Sequence, residues 1–248
     1  MKRPYIVLGV SASIDGRISL GPNRTMMDID ERDSVLGTKK EWNDFAKQME
    51  FIYDYDVWMD GSNMLVKEGG ELRELEPFKG DEDTLYEDHL PDEIVSQPGL
   101  KGFLAVVDGR GRVRGGFTGE EHWPLVHLVS ESVPANYLNF LRDKKIPYLI
   151  AGKERVDLER ILEKMKTKLD VEKVFTTSGG RLAGALLKKG LLDEINILFN
   201  PVIIGGYETP TLFASPDLKE EEWPTGLKHL MTQIEPDGTL WVRYKVEY

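Results

Sequence analysis

The sequence contains no cysteine. Disulfides, zinc–thiolate sites and cysteine nucleophiles are therefore excluded, which fits a cytoplasmic protein. No apolar run approaches the roughly 20 residues that a membrane span requires. Met1-Lys2-Arg3 followed by the apolar residues 5–10 has the outline of a secretion signal, but the run is short and Asp15 and Arg17 follow at once, so it reads as a first strand. Positive charge is scarce: 32 Lys and Arg stand against 43 Asp and Glu, a formal net charge of −11. That balance argues against non-specific nucleic-acid binding, which needs a cationic face, yet it permits a local anion site. The four histidines (His89, His122, His127, His229) lie far apart without metal-ligand spacing, so no metal is expected. There is no Walker A loop, no G-x-S-x-G elbow and no H-E-x-x-H, so hydrolase and ATPase readings lack their usual residues.

What is present is a soluble-globular composition. The chain is long enough, at 248 residues, for one large α/β domain or two small ones. No linker, repeat or low-complexity tract divides it, so a single domain over 1–248 is expected. Residues 5–10 form a continuous β-type run suited to a strand buried on both faces. Spaced apolar residues (Val35, Trp42, Phe45, Met49) predict an amphipathic helix over 30–51, weakened by Gly37. Residues 56–59 predict a short strand, and 64–68 a short helix capped by Ser62 or Asn63. Residues 77–102 are acidic and without pattern, and read as an extended surface insertion with Leu90 and Ile94 as its apolar contacts. Strands are predicted at 104–107, 126–129 and 147–150, and helices at 135–143 and 158–169. The tail alternates (Leu240, Val242, Tyr244, Val246), as in a half-exposed antiparallel strand. Strands alternating with helices imply a mostly parallel central sheet covered on both sides, with antiparallel strands at the C-terminal edge.

The most informative stretch is 174–206. A β-type run (173–177) meets Gly179-Gly180, then helix formers (182–189), Gly190, and a second apolar run (195–204). A glycine turn opening a helix offers bare backbone N–H groups and the positive end of the helix dipole to an anion. The same turn without a ligand is equally compatible with these residues. Each charge–dipole contact contributes only about 0.3–1 kcal/mol, so specific binding needs several groups to converge. Gly61-Ser62-Asn63, again between strand and helix, is a second such group, and two such turns on neighbouring parallel strands would face one crevice. Asp108-Gly109-Arg110-Gly111-Arg112 has part of a dinucleotide fingerprint but reads better as a turn between strands. Arg110, Arg112 and Arg114 are either solvated or available to a 2′-phosphate. Asp15 either touches substrate or fixes its turn as an Asx residue.

These residues resemble the reductase domain of riboflavin biosynthesis, the RibD C-terminal domain-like family. Ser13-Ile14-Asp15-Gly16-Arg17 is similar to the family's S-L-D-G-K/R, Gly61-Ser62-Asn63-Met64-Leu65 to G-x-x-T-V, and Val106-Val107-Asp108 to V-V-D-S. The most specific set is Gly179-Gly180-x-Leu182, Gly190-Leu-Leu-Asp193-Glu194 and Pro201-Val-Ile-Ile-Gly205-Gly206, in order and at matching spacing. The resemblance implies a dihydrofolate-reductase-like three-layer α/β fold, NADPH as cofactor, a small-molecule substrate and a homodimer whose interface uses the apolar run 195–204 and the alternating tail. It places the diphosphate on Gly179, Gly180, Arg181, Leu182 and Ala183. Ser11, Gly61, Met64, Glu68 and Gly109 fall at other cofactor positions. Asp15, Thr25, Leu72, Arg73 and Thr177 fall on the substrate side.

Three positions depart from the family pattern. Its acidic residue before the glycines is Thr177 here, and two family arginines fall on Ile52 and Leu75. A charge-assisted contact typically contributes about 1.5–3 kcal/mol, so the substrate half is less well kept than the cofactor half. The expected reaction is hydride transfer to the first ribose carbon of a ribosylaminopyrimidine phosphate, with the catalytic proton donor unassigned and Asp15 its one candidate. Two other readings stand beside it: a reductase of this fold acting on another heterocycle or carbonyl compound, and a non-catalytic nucleotide-binding protein.

Overall fold

The computed structural model describes residues 2–22 and 35–248. They form two compact units, Met1–Pro4 with Tyr55–Val174 and Tyr5–Asp54 with Phe175–Tyr248. No helix among the described residues is long and apolar enough to cross a membrane.

The first unit is built on parallel strands β2 (Val57–Gly61), β3 (Phe103–Val107), β5 (Trp123–Val129) and β6 (Tyr148–Ile150). Val57 sits opposite Phe103, Leu104 opposite Leu125, and His127 opposite Tyr148. The two-residue β4 (Gly119–Glu120) adds an antiparallel edge to β5. Helices α3 (Ala135–Asp143) and α4 (Leu158–Leu169) have the bounds their apolar spacing predicts. In α4 that spacing buries Leu158, Ile161, Leu162 and Met165, while Asp157 caps the first turn by accepting from Arg160 N.

The acidic segment 77–102 is not merely extended. It carries a 3₁₀ turn (Glu82–Leu85) and one helical turn, α2 (Asp92–Val95). Its apolar contact is Leu85, buried with Tyr137, Leu138, Leu141 and Tyr148, rather than the half-buried Leu90 or Ile94. The buried Asp88 carboxylate accepts from Lys164 Nζ (2.8 Å), Lys168 Nζ (2.7 Å) and Ile150 N (2.9 Å). Tyr148 donates to Leu85 O and Arg142 to Thr84 O. Helix α4 and strand β6 thus clamp the insertion through its own charge.

The second unit pairs β1 (Tyr5–Ser13) in parallel with β8 (Glu194–Asn200), from Val7 opposite Glu194 to Ser13 opposite Asn200. Strand β10 (Leu240–Glu247) lies antiparallel on β8, and β9 (Gly226–Ile234) antiparallel on β10 with a bulge at Arg243/Tyr244. Parallel pairs within and antiparallel strands at the C-terminal edge are the arrangement expected. Strand β7 (Lys173–Thr176) starts in the first unit and ends in the second. Its Phe175 packs on β1 at Gly9, where a Cβ would lie 2.6 Å from the ring. Helix α1 (Lys39–Tyr53) opens on a reciprocal capping box of Thr38 and Glu41; residues 30–34 of the expected helix lie outside the described ones. Glu194 is buried at the start of β8, where Tyr53 OH, Arg243 and Tyr5 OH all donate to it.

Candidate functional site

Helix α5 (Gly180–Lys188) starts two residues before the predicted 182. Gly179 is its N-cap, in extended conformation (φ −62°, ψ 164°) and without a side-chain cap. Leu182 and Ala183 both return their N–H groups to Gly179 O at 3.1 Å, and first-turn amides of a helix have no partner further back. Ser178, just before the cap, is buried with its Oγ unpartnered. A Cβ at 179 would stand in open space, with Ile18 Cδ1 at 4.0 Å its nearest neighbour.

Gly180 is different. A Cβ there would overlap the Thr211 carbonyl and lie 3.2 Å from Ala214 N, whose N–H bonds Gly180 O at 2.9 Å. Gly184 meets the same segment. At 180 the neighbouring backbone takes the room that a missing Cβ leaves, and the open position is 179. Arg181 is exposed, and Ala183 is buried.

Elsewhere in the second unit, Asp15 accepts from Ser13 Oγ (2.7 Å), Ile204 N (3.0 Å) and Gly205 N (2.7 Å). These bonds, Ser13's foremost and Ile204's next, lower its carboxyl to about 2. An acid that is ionised down to that pH is a poor proton donor, so the structure favours the turn-fixing role over the catalytic one. Ser11 donates to Leu36 O (2.7 Å) and accepts from Asn200 Nδ2 (2.6 Å). It lines a cavity of about 360 Å³ with Trp42, Phe45, Asn200 and Trp241, and with Asp44 among its acidic residues. The sequence reading found neither this cavity nor Ser178. The lone Asn200 closing an apolar run was the available signal for the first.

The first unit carries Gly61, Met64, Glu68, Leu72, Arg73 and Gly109. The predicted helix 64–68 is only a 3₁₀ turn, Ser62–Met64, and its N-cap is Gly61 rather than Ser62 or Asn63. A Cβ at Gly61 would meet nothing within 4 Å. Arg112 is buried and donates to Asn63 Oδ1 (2.6 Å), Lys67 O (2.6 Å) and Val66 O (3.2 Å). Arg114 donates to Gly111 O and Arg73 O. Arg110 reaches Glu68 with both terminal nitrogens at 3.2 Å. The three arginines that the sequence left undivided therefore separate into two internal struts and one surface guanidinium.

The turn bearing them rests on a buried polar chain. Asp108 Oδ2 accepts from Val113 N and from Tyr137 OH, each at 2.8 Å, and Tyr137 OH lies 2.8 Å from His127 Nδ1. Since the tyrosine proton goes to Asp108, Nδ1 of His127 carries the donated hydrogen and Nε2 is bare and unpartnered. Leu72 and Arg73 are exposed; Leu75 packs against the Tyr137–Tyr148 core. Thr25 lies outside the described residues.

Compared with known families, residues 4–242 match the RibD C-terminal domain. The chain belongs to that family. It is 26% identical over 219 residues to the 2,5-diamino-6-ribosylamino-4(3H)-pyrimidinone 5′-phosphate reductase of Methanothermobacter thermautotrophicus, covering 88% of this chain and 87% of that one. To the same-named protein of Archaeoglobus fulgidus it is 29% identical over 212 residues, covering 85% and 86%. Among solved structures, a pyrimidine reductase-like protein of Corynebacterium diphtheriae matches with a TM-score of 0.66 at 16% identity over 99% of this chain and 92% of that one. RibD of Acinetobacter baumannii matches with a TM-score of 0.64 at 18% identity over all of this chain, which spans 59% of that longer protein. At these identities the structures speak for the fold, and the dihydrofolate-reductase-like α/β arrangement expected from the motifs is the one found.

Proposed function

We propose that this RibD C-terminal domain protein is an NADPH-dependent reductase that converts the ribosylamino group of a pyrimidine phosphate into a ribitylamino group. The observation that carries the reading is the opening of α5, where an uncapped glycine N-terminus stands beside the buried, unpartnered Ser178 Oγ. Such a set suits one anionic bridge of a dinucleotide: backbone amides and a hydroxyl donate, the dipole favours the charge, and no side chain at 179 blocks the approach. The reading is supported by relatives named as pyrimidinone phosphate reductases, similar over most of both chains. The cofactor supplies the hydride, and the protein's residues bind and orient the reactants.

Absorbance at 340 nm is expected to fall when the protein, NADPH and 2,5-diamino-6-ribosylamino-4(3H)-pyrimidinone 5′-phosphate are combined. The deaminated uracil analogue, run in parallel, reports which ring is preferred. NADPH binding without turnover of either compound would remove this substrate. A reductase of the same fold with another heterocyclic or carbonyl substrate is the second reading, and a specific observation favours it: Leu75, at a family arginine position, is committed to the core cluster, and Thr177 replaces the family acid.

The protein is further proposed to be a homodimer. The surface expected for that interface shifts, because Ile195 and Ile197 are buried within the second unit. Edge strand β9 instead exposes Leu227, Leu230 and Ile234. An unpaired apolar edge is the kind of surface a second copy covers. Light scattering is expected to give twice 28.2 kDa; a monomeric mass would rule the dimer out.

A further inference from the structure

We propose that the cavity lined by α1, β8 and the β9–β10 hairpin binds a small organic cation. The ligand is a protonated amine that rests its apolar body on Trp42, Phe45 and Trp241, donates an N–H to Asn200 Oδ1 and sets its charge beside Asp44. Every described residue lining this cavity belongs to the second unit. The site goes beyond the reductase reading above and does not depend on it.

The floor is aromatic. Trp42 and Phe45 meet edge to face with centroids 5.9 Å apart, and Phe45 meets Trp241 in the same way at 5.8 Å. Such rings offer apolar surface, and their negative faces attract a cation. The rim is acidic. Glu41, Asp44, Glu235 and Asp237 line the cavity, and no Lys, Arg or His is among its described lining residues. Three of the four are engaged locally: Glu41 caps α1 through Thr38, Glu235 accepts from Gln233, and Asp237 accepts from Thr239 N and Oγ1. The bond from the Thr239 backbone, foremost, holds the Asp237 carboxyl below its ordinary range, so it stays ionised. Asp44 is exposed and takes no hydrogen bond or ion pair from a described residue, so its carboxylate is open to a ligand. A cleft lined by one sign of charge concentrates the opposite sign. A phosphate compound meets only repulsion here, which sets this cavity apart from the anion site at α5.

Independent of that charge is a buried acceptor. Asn200 lines the cavity and is 6% exposed. Its Nδ2 donates to Ser11 Oγ (2.6 Å), Ala12 O (3.0 Å) and Leu198 O (3.2 Å). Two of these partners are carbonyls, which can only accept, so the amide has one orientation and Oδ1 is turned away from them. Oδ1 has no partner among the described residues and is not sealed off by its neighbours. A buried amide oxygen left bare is costly until a donor reaches it, and an ammonium N–H is such a donor. Aromatic faces, an uncommitted carboxylate and a bare carbonyl oxygen thus call for one chemical class. At about 360 Å³ the cavity stands at the small end of ligand pockets, which span about 300–1,000 Å³, and suits a single ring with a short amine arm.

The test titrates the full chain by calorimetry with four probes: benzylamine, neutral benzyl alcohol, anionic benzoate, and benzyltrimethylammonium, a cation without N–H. Benzylamine is expected to bind tightest, by about fivefold or more over the alcohol and about threefold or more over the quaternary cation. Benzoate is expected not to bind. Asp44→Lys changes an exposed side chain, so the melting temperature should move by less than about 2 °C while benzylamine weakens by about fivefold or more. Asn200→Leu is expected to erase the advantage of benzylamine over the quaternary cation, which a loss of packing alone would not do. If Asn200→Leu does not fold, the four probes on the wild type and Asp44→Lys still decide. Equal affinity for benzylamine and benzyl alcohol, binding of benzoate in preference, or undiminished benzylamine affinity in Asp44→Lys would overturn the site. Loss of the site with NADPH turnover intact leaves the reductase reading standing, and turnover failing beside intact benzylamine binding removes that reading alone.

Discussion

Gly180→Ala is expected to lower the melting temperature by about 6–12 °C, whereas Gly179→Asp should leave it unchanged or raise it slightly and yet weaken NADPH by at least about tenfold. The two glycines are adjacent, but their surroundings differ. At 180 a Cβ is driven into the Thr211 carbonyl, which is backbone and cannot rotate aside. Helix α5 and the segment 211–214 must then separate and lose the bond from Ala214 N to Gly180 O. Overpacking of this kind costs about 3 kcal/mol, and a chain of this length loses roughly 2–4 °C per kcal/mol. At 179 the backbone is ordinary and the Cβ meets nothing nearer than 4.0 Å. Aspartate is moreover a favoured N-cap, by about 1 kcal/mol over residues that cannot cap, so the helix does not suffer. The same carboxylate occupies the amides that a phosphate would use and repels it. Scanning calorimetry and a fluorescence titration with NADPH separate the two effects. Full NADPH affinity in Gly179→Asp would dispose of the anion site at α5.

Acid is expected to destabilise the protein through His127 as pH falls below about 6.5. His127 is buried under the 108–113 turn, and burial lowers its pKa to about 4 against the nearby, opposing charge of Asp108. An unfolded histidine titrates near 6.5. Between these values the unfolded chain holds a proton that the folded chain does not, so stability rises with pH across the window and is lost as pH falls from 6.5 toward 4. The loss is bounded by about 1.4 kcal/mol per pH unit, on the order of 3 kcal/mol over the window. His89, also lowered by burial and by Arg142, adds to the same slope. His127→Gln keeps a neutral group beside Tyr137 and should flatten the dependence of Tm on pH between 6.5 and 5, leaving the His89 part. An unchanged slope would mean that His127 becomes charged without unfolding.

Several elements were legible because their cause is local. Helices α3 and α4 carry their apolar residues at helical spacing and end where sequence reasoning ends them. Other expectations failed for reasons that lie far along the chain. Residues 64–68 do not continue as a helix: the turn closes at Met64, and the carbonyls of Val66 and Lys67 accept from the distant Arg112. The apolar run 195–204 stops being a strand at Asn200, since Pro201 has no N–H to give a ladder. The amides of Ile204 and Gly205 are instead held by Asp15, about 190 residues earlier. Strand β9 escaped notice because it is exposed along nearly its whole length, so burial imposes no alternation on it.

The order of motifs by itself determined the family, the kind of coenzyme expected and the alternation of strands and helices, because glycine turns and apolar periodicity are properties of consecutive residues. Tertiary structure alone decided what each of those residues does. It assigned Gly180 to packing and Gly179 to open space, Asp15 to a turn, and Arg112 to the interior while Arg110 stayed outside. Those outcomes depend on which distant backbone or carboxylate arrives beside the residue, and proximity across the chain is written in no short stretch of it.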